Sequence, residues 1–128
     1  MIRGLAVSHP LTILAVEDEP LVRELIVDEL EDAGFVALAA ETGDAALPIL
    51  QGSRRIDVLF TDIRLPGTVD GWQLAKAARR LRPYMPVIYA TGYTVERASQ
   101  VPGGLFFSKP YQPSAIIDAI RALCPVGA

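Results

Sequence analysis

The alternation of short apolar runs with segments of helical periodicity, maintained along the whole chain, most constrains what this sequence can fold into. Five apolar runs occur, at 11–16, 35–40, 56–61, 87–90 and 105–107. This alternation is typical of a parallel β-sheet covered by helices on both faces. Right-handed crossovers favour the strand order 2-1-3-4-5, which places strands one and three side by side. The sequence therefore predicts a five-stranded, doubly wound α/β domain with a ligand crevice beyond the carboxyl ends of those two strands.

Helical periodicity predicts helices at 20–33, 42–50, 71–82 and 113–123. The first has an apolar face made by Val22, Leu25, Ile26, Leu30 and Ala33. Pro48 lacks a backbone donor, so we expect a kink or an early end in the second helix. The helical signal is weakest at 93–101, which ends in a Pro-Gly-Gly run and should be the loosest element.

The predicted fold class is thus a flavodoxin-like arrangement of one domain at 11–124, with an N-terminal extension at 1–10 and a tail at 125–128. A length of 128 residues suits one domain and leaves no room for a second.

Charge and cysteine content exclude several functional classes. The formal net charge of −3 argues against nucleic acid as a ligand, and we expect Arg79, Arg80 and Arg82 to form a solvated helix face. Cys124 is the only cysteine, so neither an intramolecular disulfide nor a thiol-pair metal site can form. We find no apolar run long enough for a signal peptide or a membrane span, and expect a soluble, cytoplasmic protein.

Polar side chains follow the predicted strands at their carboxyl ends. Glu17 and Asp18 come after the first strand, Asp62 after the third, Thr91 after the fourth and Lys109 after the fifth. A lone acid in such a place is usually a helix cap or a turn residue. The whole set is hard to explain by packing, because apolar side chains would fill the space without a desolvation cost.

This set of residue types suits phosphoryl transfer. Neighbouring carboxylates repel one another and need a cation, and all-oxygen ligands suit Mg²⁺. A carboxylate beside that ion can attack a phosphoryl group, while Lys109 neutralises charge on the equatorial oxygens and Thr91 offers a hydroxyl. The sequence therefore predicts a phosphoryl-transfer site at this edge.

Five motifs, taken together, resemble the response-regulator receiver family over residues 11–123. They are Val16-Glu17-Asp18-Glu19, Thr61-Asp62-Ile63-Arg64-Leu65-Pro66-Gly67, Asp70-Gly71, Ala90-Thr91-Gly92-Tyr93 and Ser108-Lys109-Pro110-Tyr111. For the metal, the resemblance implies a Mg²⁺ ion with Asp18 as a direct ligand and Glu17 as a ligand through water. It further implies that Asp62 and the backbone carbonyl of Arg64 are ligands.

For the reaction, the resemblance implies that Asp62 is the phospho-acceptor and that Thr91 and Lys109 bind the phosphoryl oxygens. It also implies a cis peptide bond before Pro110. In many receivers the aromatic residue three before the lysine reports phosphorylation, and here that residue is Phe106, which has no hydroxyl. Tyr89 or Tyr93 is a second candidate for this reporting role, which we call the switch role. The alternative is that Phe106, Tyr89 and Tyr93 only pack against the core.

Two departures from the commonest receiver pattern indicate which subgroup of the family the chain resembles. The loop after Asp62 is one residue longer than the commonest receiver pattern, because Thr68 and Val69 stand where one residue is usual. The run from Tyr89 to Tyr93 resembles the Phe-Ala-Thr-Gly motif of certain single-domain receivers, with Tyr replacing the Phe. Receivers fused to hybrid histidine kinases are similar here as well.

These features favour a signalling module of a two-component phosphorelay over an enzyme. Its expected partners are a histidine kinase or histidine phosphotransfer protein and a downstream protein. The downstream protein would read the face formed by strand four, the weak helical segment at 93–101 and strand five. We expect a monomer or weak dimer. A phosphatase using Asp62 as nucleophile is disfavoured by Arg64, which stands where an acid would protonate the leaving group. A flavin-binding domain is disfavoured because Glu-Asp-Glu-Pro follows strand one instead of a hydroxyl-rich loop.

Overall fold

The computed structural model describes residues 9–92 and 99–125, and its centre is a five-stranded parallel sheet. The strands are β1 (Thr12–Val16), β2 (Val36–Ala40), β3 (Val58–Asp62), β4 (Val87–Thr91) and β5 (Leu105–Ser108). They pair in the order β2-β1-β3-β4-β5, all in parallel. This confirms the predicted doubly wound topology.

Helices follow four of the five strands. In the described residues these are α1 (Pro20–Asp32), α2 (Gly43–Gln51), α3 (Gly71–Leu81) and α4 (Pro113–Leu123). Side chains cap two of their N-termini: the Thr42 hydroxyl accepts from the Ala45 N–H at 2.9 Å, and Asp70 and Gln73 form a capping box. The other two helices, α1 and α4, begin with a proline instead. Most of the weak element expected at 93–101 lies outside the described residues.

The core lies on both faces of the sheet. Every residue of β1, β3 and β4 is buried, and successive side chains point to opposite faces. Leu14 on β1 therefore joins the cluster under α2 and α3, whereas Ile13 joins the cluster under α1 and α4. This two-sided burial keeps the central strands rigid and fixes the positions of the residues that follow them.

The second helix does not end early at Pro48, so that half of the expectation is wrong, and the alternative expected there, a kink, stays a prediction. α2 continues three residues beyond Pro48, to Gln51. The cap at Thr42 and the burial of Ala46 and Leu50 against the core offset the missing backbone donor.

The first helix buries less of its apolar face than expected. Ile26 and Leu30 are fully buried, but Leu25 is 55% exposed and the adjacent Leu21 is 81% exposed. One residue step rotates a side chain by about 100° around a helix, so only one line of side chains faces the sheet. Leu25, a member of the predicted apolar face, therefore lies at its exposed edge.

Two of the three arginines near the end of α3 are not merely solvated. Arg79 donates to the backbone carbonyls of Met85 at 2.6 Å and Pro102 at 2.7 Å. Arg82 donates to carbonyls at the end of α2, including that of Leu50 at 3.1 Å. These bonds tie α3 to neighbouring loops.

Among the described residues, no helix combines the length and apolar character that crossing a membrane requires.

Candidate functional site

The predicted site residues meet at the carboxyl edge of the sheet. β1 and β3 are neighbours in register, so Glu17 and Asp18, which follow β1, lie beside Asp62 at the end of β3. Lys109 follows β5 and reaches across to the same place. Thr91 ends β4, is almost fully buried, and accepts the Lys109 N–H on its backbone carbonyl at 2.8 Å.

Three carboxylates form the centre of the site. Glu17, Asp18 and Asp62 each offer an oxygen atom, and these atoms lie within 4.8 Å of one another. Glu17 and Asp62 are buried, whereas Asp18 is exposed. They open into a cavity of about 730 Å³ whose other walls include Arg64 and Gly92. The cluster is therefore accessible to a small ligand.

Lys109 joins two of these acids. Its ammonium donates to Asp62 Oδ2 at 2.9 Å and to Glu17 Oε1. Burial alone would lower the pKa of Lys109, but the hydrogen bonds to Glu17 and Asp62 outweigh it, so the pKa is raised. For the Glu17 carboxyl, burial acts in the other direction and raises the pKa, although the hydrogen bond from Lys109 opposes that rise. Lys109 therefore stays charged at neutral pH.

The charge balance of these four groups fits a divalent cation. The Lys109 ammonium faces three carboxylates, two of them buried, so negative charge is in excess within this group of four and a cation bound there would be stabilised. Carboxylate oxygens are hard ligands of the kind that Mg²⁺ binds. The donor set therefore fits the ion that the sequence predicts.

The backbone around Asp62 is held tightly. The Ile63 N–H donates to Asp62 Oδ1 at 2.7 Å, which orients the carboxylate. The Gly71 N–H donates to the Ile63 carbonyl at 2.8 Å. A Cβ at Gly71 would lie 2.2 Å from the carbonyl oxygen of Asp62, so only glycine allows α3 to begin this close to the site.

The first turn of α1 contains a residue that sequence reasoning missed. Arg23 donates to the backbone carbonyl of Glu17 at 2.9 Å, while Glu17 Oε2 accepts from the Glu19 N–H at 3.1 Å. Together these bonds fix the orientation of Glu17. A basic residue in the first turn opposes the helix dipole, and this local conflict was the available signal for a specific partner.

Two of the three aromatic switch candidates, Tyr89 and Phe106, lie in the described residues, and both pack against the core. The Tyr89 ring is fully buried 4.8 Å from that of Trp72, and its hydroxyl accepts from the Val101 N–H at 3.0 Å. Phe106 is half-buried against the same core cluster. Tyr93 lies outside the described residues. A reporter role for these three side chains stays a prediction.

The expected cis peptide bond between Lys109 and Pro110 is present.

Comparisons with known sequences give a consistent result. The family model described as the response regulator receiver domain matches residues 13–121. The response regulator protein FleR of Pseudomonas aeruginosa is 31% identical over 112 residues, which cover 84% of this chain. Those residues are 23% of FleR, and the chain matches 24% and 47% of two further curated relatives. The chain therefore spans less than half the length of these relatives.

Solved structures show the same architecture. A response regulator receiver protein from Sinorhizobium medicae superposes with a TM-score of 0.84 at 35% identity, covering 89% of this chain and 94% of that one. The receiver domain of the hybrid histidine kinase CckA superposes with a TM-score of 0.76 at 32% identity, covering 88% and 97%.

Proposed function

The chain belongs to the response regulator receiver domain family, and on that basis we propose that Asp62 accepts a phosphoryl group from a phosphohistidine in a magnesium-dependent reaction. The observation that carries this proposal is the environment of the Asp62 carboxylate. It is 8% exposed, lies within 4.8 Å of two further acids and receives a hydrogen bond from Lys109 at 2.9 Å.

In the proposed reaction, a carboxylate oxygen of Asp62 forms a bond to phosphorus as the bond from phosphorus to the donor imidazole breaks. The imidazole keeps the electron pair of that bond. Lys109 is placed to neutralise charge on the transferred oxygens, and Thr91 at the end of β4 offers its hydroxyl to one of them. Mg²⁺ bound by Glu17, Asp18, Asp62 and the Arg64 carbonyl would supply charge neutralisation.

We place this receiver, at residues 11–124, among cytoplasmic signalling modules, with a histidine kinase or histidine phosphotransfer protein as donor. Its relatives include a response regulator and the receiver of a hybrid histidine kinase. Arg64, two residues after Asp62, offers no acid to protonate a leaving group, which disfavours a phosphatase. We further propose membership of the Phe-Ala-Thr-Gly subgroup and a monomeric or weakly dimeric state.

Metal dependence is the direct test of this proposal. We expect labelling by acetyl phosphate to require Mg²⁺ and to stop on chelation. Asp18→Asn should raise the Kd for Mg²⁺ about tenfold or more, because a ligand is lost. Amide resonances recorded during a Mg²⁺ titration give this Kd, and saturating Mg²⁺ should restore labelling of the variant. Asp28→Asn, at an exposed acid on α1, is the matched control. An unchanged Kd in Asp18→Asn would contradict the assignment.

We also propose that a downstream protein reads the face formed by β4, the segment 92–104 and β5. Two hydrogen bonds link described residues of this segment, Val101 and Pro102, to the rest of the domain. The Val101 N–H donates to the Tyr89 hydroxyl, and the Pro102 carbonyl accepts from Arg79. Since β4 carries Tyr89 and ends beside the site, a shift at the end of β4 would reach the segment through these bonds.

Phosphorylation should therefore change amide exchange mainly at 92–104. A hydrogen bond from the Thr91 hydroxyl to an ionised phosphate is worth about 1.5 to 3 kcal/mol, enough to change local opening about tenfold. Exchange measured with and without Mg²⁺ and beryllium fluoride tests this expectation. Tyr89→Phe removes only one hydroxyl and should reduce the response at Val101. Changes confined to α1 and α2 would refute this output face.

A further inference from the structure

The loop at 63–70, which joins β3 to α3, forms one wall of the cation site. Its residues that line the cavity are Arg64, Leu65 and Pro66. The hydrogen bond from the Gly71 N–H to the Ile63 carbonyl closes the base of the loop at 2.8 Å. This loop is also where the sequence carries one residue more than the commonest receiver pattern.

Asp44, in the first turn of α2, holds the far side of this loop. Its Oδ2 accepts from the Thr68 N–H at 3.1 Å and its Oδ1 accepts from the Thr68 hydroxyl at 2.9 Å, across 24 residues of sequence. Gly67 has φ of +93°, and a Cβ there would lie 2.5 Å from Asp44 Oδ2. Glycine therefore allows the turn that presents Thr68 to the carboxylate.

The next residues pack closely as well. A Cβ on Gly43 would lie 2.3 Å from the Val69 carbonyl oxygen, so the loop and the start of α2 are in contact at the backbone. The Val69 side chain packs against the core cluster under α2 and α3. Hydrogen bonds from Thr68 lower the pKa of Asp44 below its ordinary value of 3.8. The carboxylate is thus ionised, and its bonds to Thr68 are retained, until the pH falls below that value.

We propose that Asp44 is a positioning residue for the cation site, because its two hydrogen bonds to Thr68 hold the Arg64 carbonyl in place. The inference rests on the proposed Mg²⁺ function. Only residues 64–67 separate the anchored Ile63 from the anchored Thr68, and Pro66 further restricts that segment. Without the Asp44 anchor, the segment would lose conformational freedom on cation binding, and that entropy cost weakens affinity.

An acid in the first turn of a helix is ordinarily explained by the helix dipole. That explanation predicts an effect on α2 alone. The geometry differs, because both carboxylate oxygens of Asp44 accept hydrogen bonds from Thr68. The two explanations are separated by measuring Mg²⁺ affinity and thermal stability in the same variants.

The test is a Mg²⁺ titration of the full chain followed by amide resonances. Asp44→Ala should raise the Kd about fivefold, which is below the usual effect of losing a group that directly supports a ligand. Thr68→Val keeps the N–H and should have a smaller effect, whereas Thr68→Ser keeps both donors and should match the wild type. The double variant Asp44→Ala with Thr68→Val should bind no more weakly than Asp44→Ala.

Glu41→Gln removes a charge from an exposed acid three residues earlier and serves as the charge control. An equal loss of affinity in Glu41→Gln and Asp44→Ala would overturn the proposal, because general electrostatics would explain it. An unchanged Kd in Asp44→Ala and Thr68→Val, with normal wild-type binding, would overturn the positioning role alone. Absence of Mg²⁺ binding in the wild type would overturn both this inference and the proposed function. If Asp44→Ala unfolds, Thr68→Val against Thr68→Ser decides the question.

Discussion

Asp62→Asn should abolish labelling by acetyl phosphate, with a fall in rate of about a thousandfold or more, as expected when a nucleophile is removed. Asparagine preserves the size of the side chain and can still accept the Ile63 N–H, which donates to Asp62 Oδ1 at 2.7 Å. Its amide is not a nucleophile toward phosphorus. The loss should therefore come from chemistry with little change in structure.

In Asp62→Asn, the two neighbouring acids, Glu17 and Asp18, should not replace Asp62 as the phospho-acceptor. Glu17 is 3% exposed, and its two oxygens accept hydrogen bonds from Lys109 and the Glu19 N–H. Asp18 is exposed to water, where an attacking carboxylate is better solvated and less reactive. Intact mass measurement, with peptide mapping of any labelled species, checks this expectation. A label that persists at undiminished rate in Asp62→Asn would show that Asp62 is not the acceptor, and Asp28→Asn should label normally.

The site was predictable from sequence because strand ends are local features. Apolar runs locate each strand, and parallel pairing brings their carboxyl ends to one edge. Glu17, Asp62 and Lys109 thus meet in space although up to 92 residues separate them along the chain. The chemistry of the residue types then indicates the kind of ligand.

Contacts made by loops were not predictable in this way. Asp44 obeys the local rule for an acid in a first helical turn, so nothing in the sequence indicates its bonds to Thr68. Arg79 looks like a solvated residue, yet it donates to the carbonyl of Pro102. Such partners depend on how a loop folds back in three dimensions, and periodicity carries no information about that.

The largest expected effect on stability is that of Lys109→Met without metal. Methionine keeps the aliphatic stem but leaves Glu17 and Asp62 buried without their cation. Removing one partner of a fully buried ion pair costs about 3 to 5 kcal/mol, and we expect about 2 kcal/mol here because the site opens to water. Denaturant unfolding at neutral pH measures this loss, and Lys76→Met at an exposed lysine on α3 is the matched control.

This destabilisation should depend on pH in a defined direction. Burial already raises the pKa of Glu17 above 4.5 and the hydrogen bond from Lys109 opposes that rise, so removing Lys109 raises the pKa further. A carboxyl with a raised folded-state pKa favours the folded state below its unfolded pKa, and that contribution is lost as the pH rises through the folded value. The gap between Lys109→Met and the wild type should therefore be small near pH 4.5 and grow toward neutrality.

The ammonium itself does not confuse this comparison. The wild-type Lys109 pKa is raised from 10.5, so its stabilising contribution is complete below that value and is lost only at higher pH. Between pH 5 and 8 the changing gap then reports Glu17. Mg²⁺ should narrow the gap at neutral pH, because a divalent cation replaces the missing positive charge. A gap that is equally large at pH 4.5 and pH 7.5 would show that Lys109 stabilises the protein by packing and not by compensating buried carboxylates.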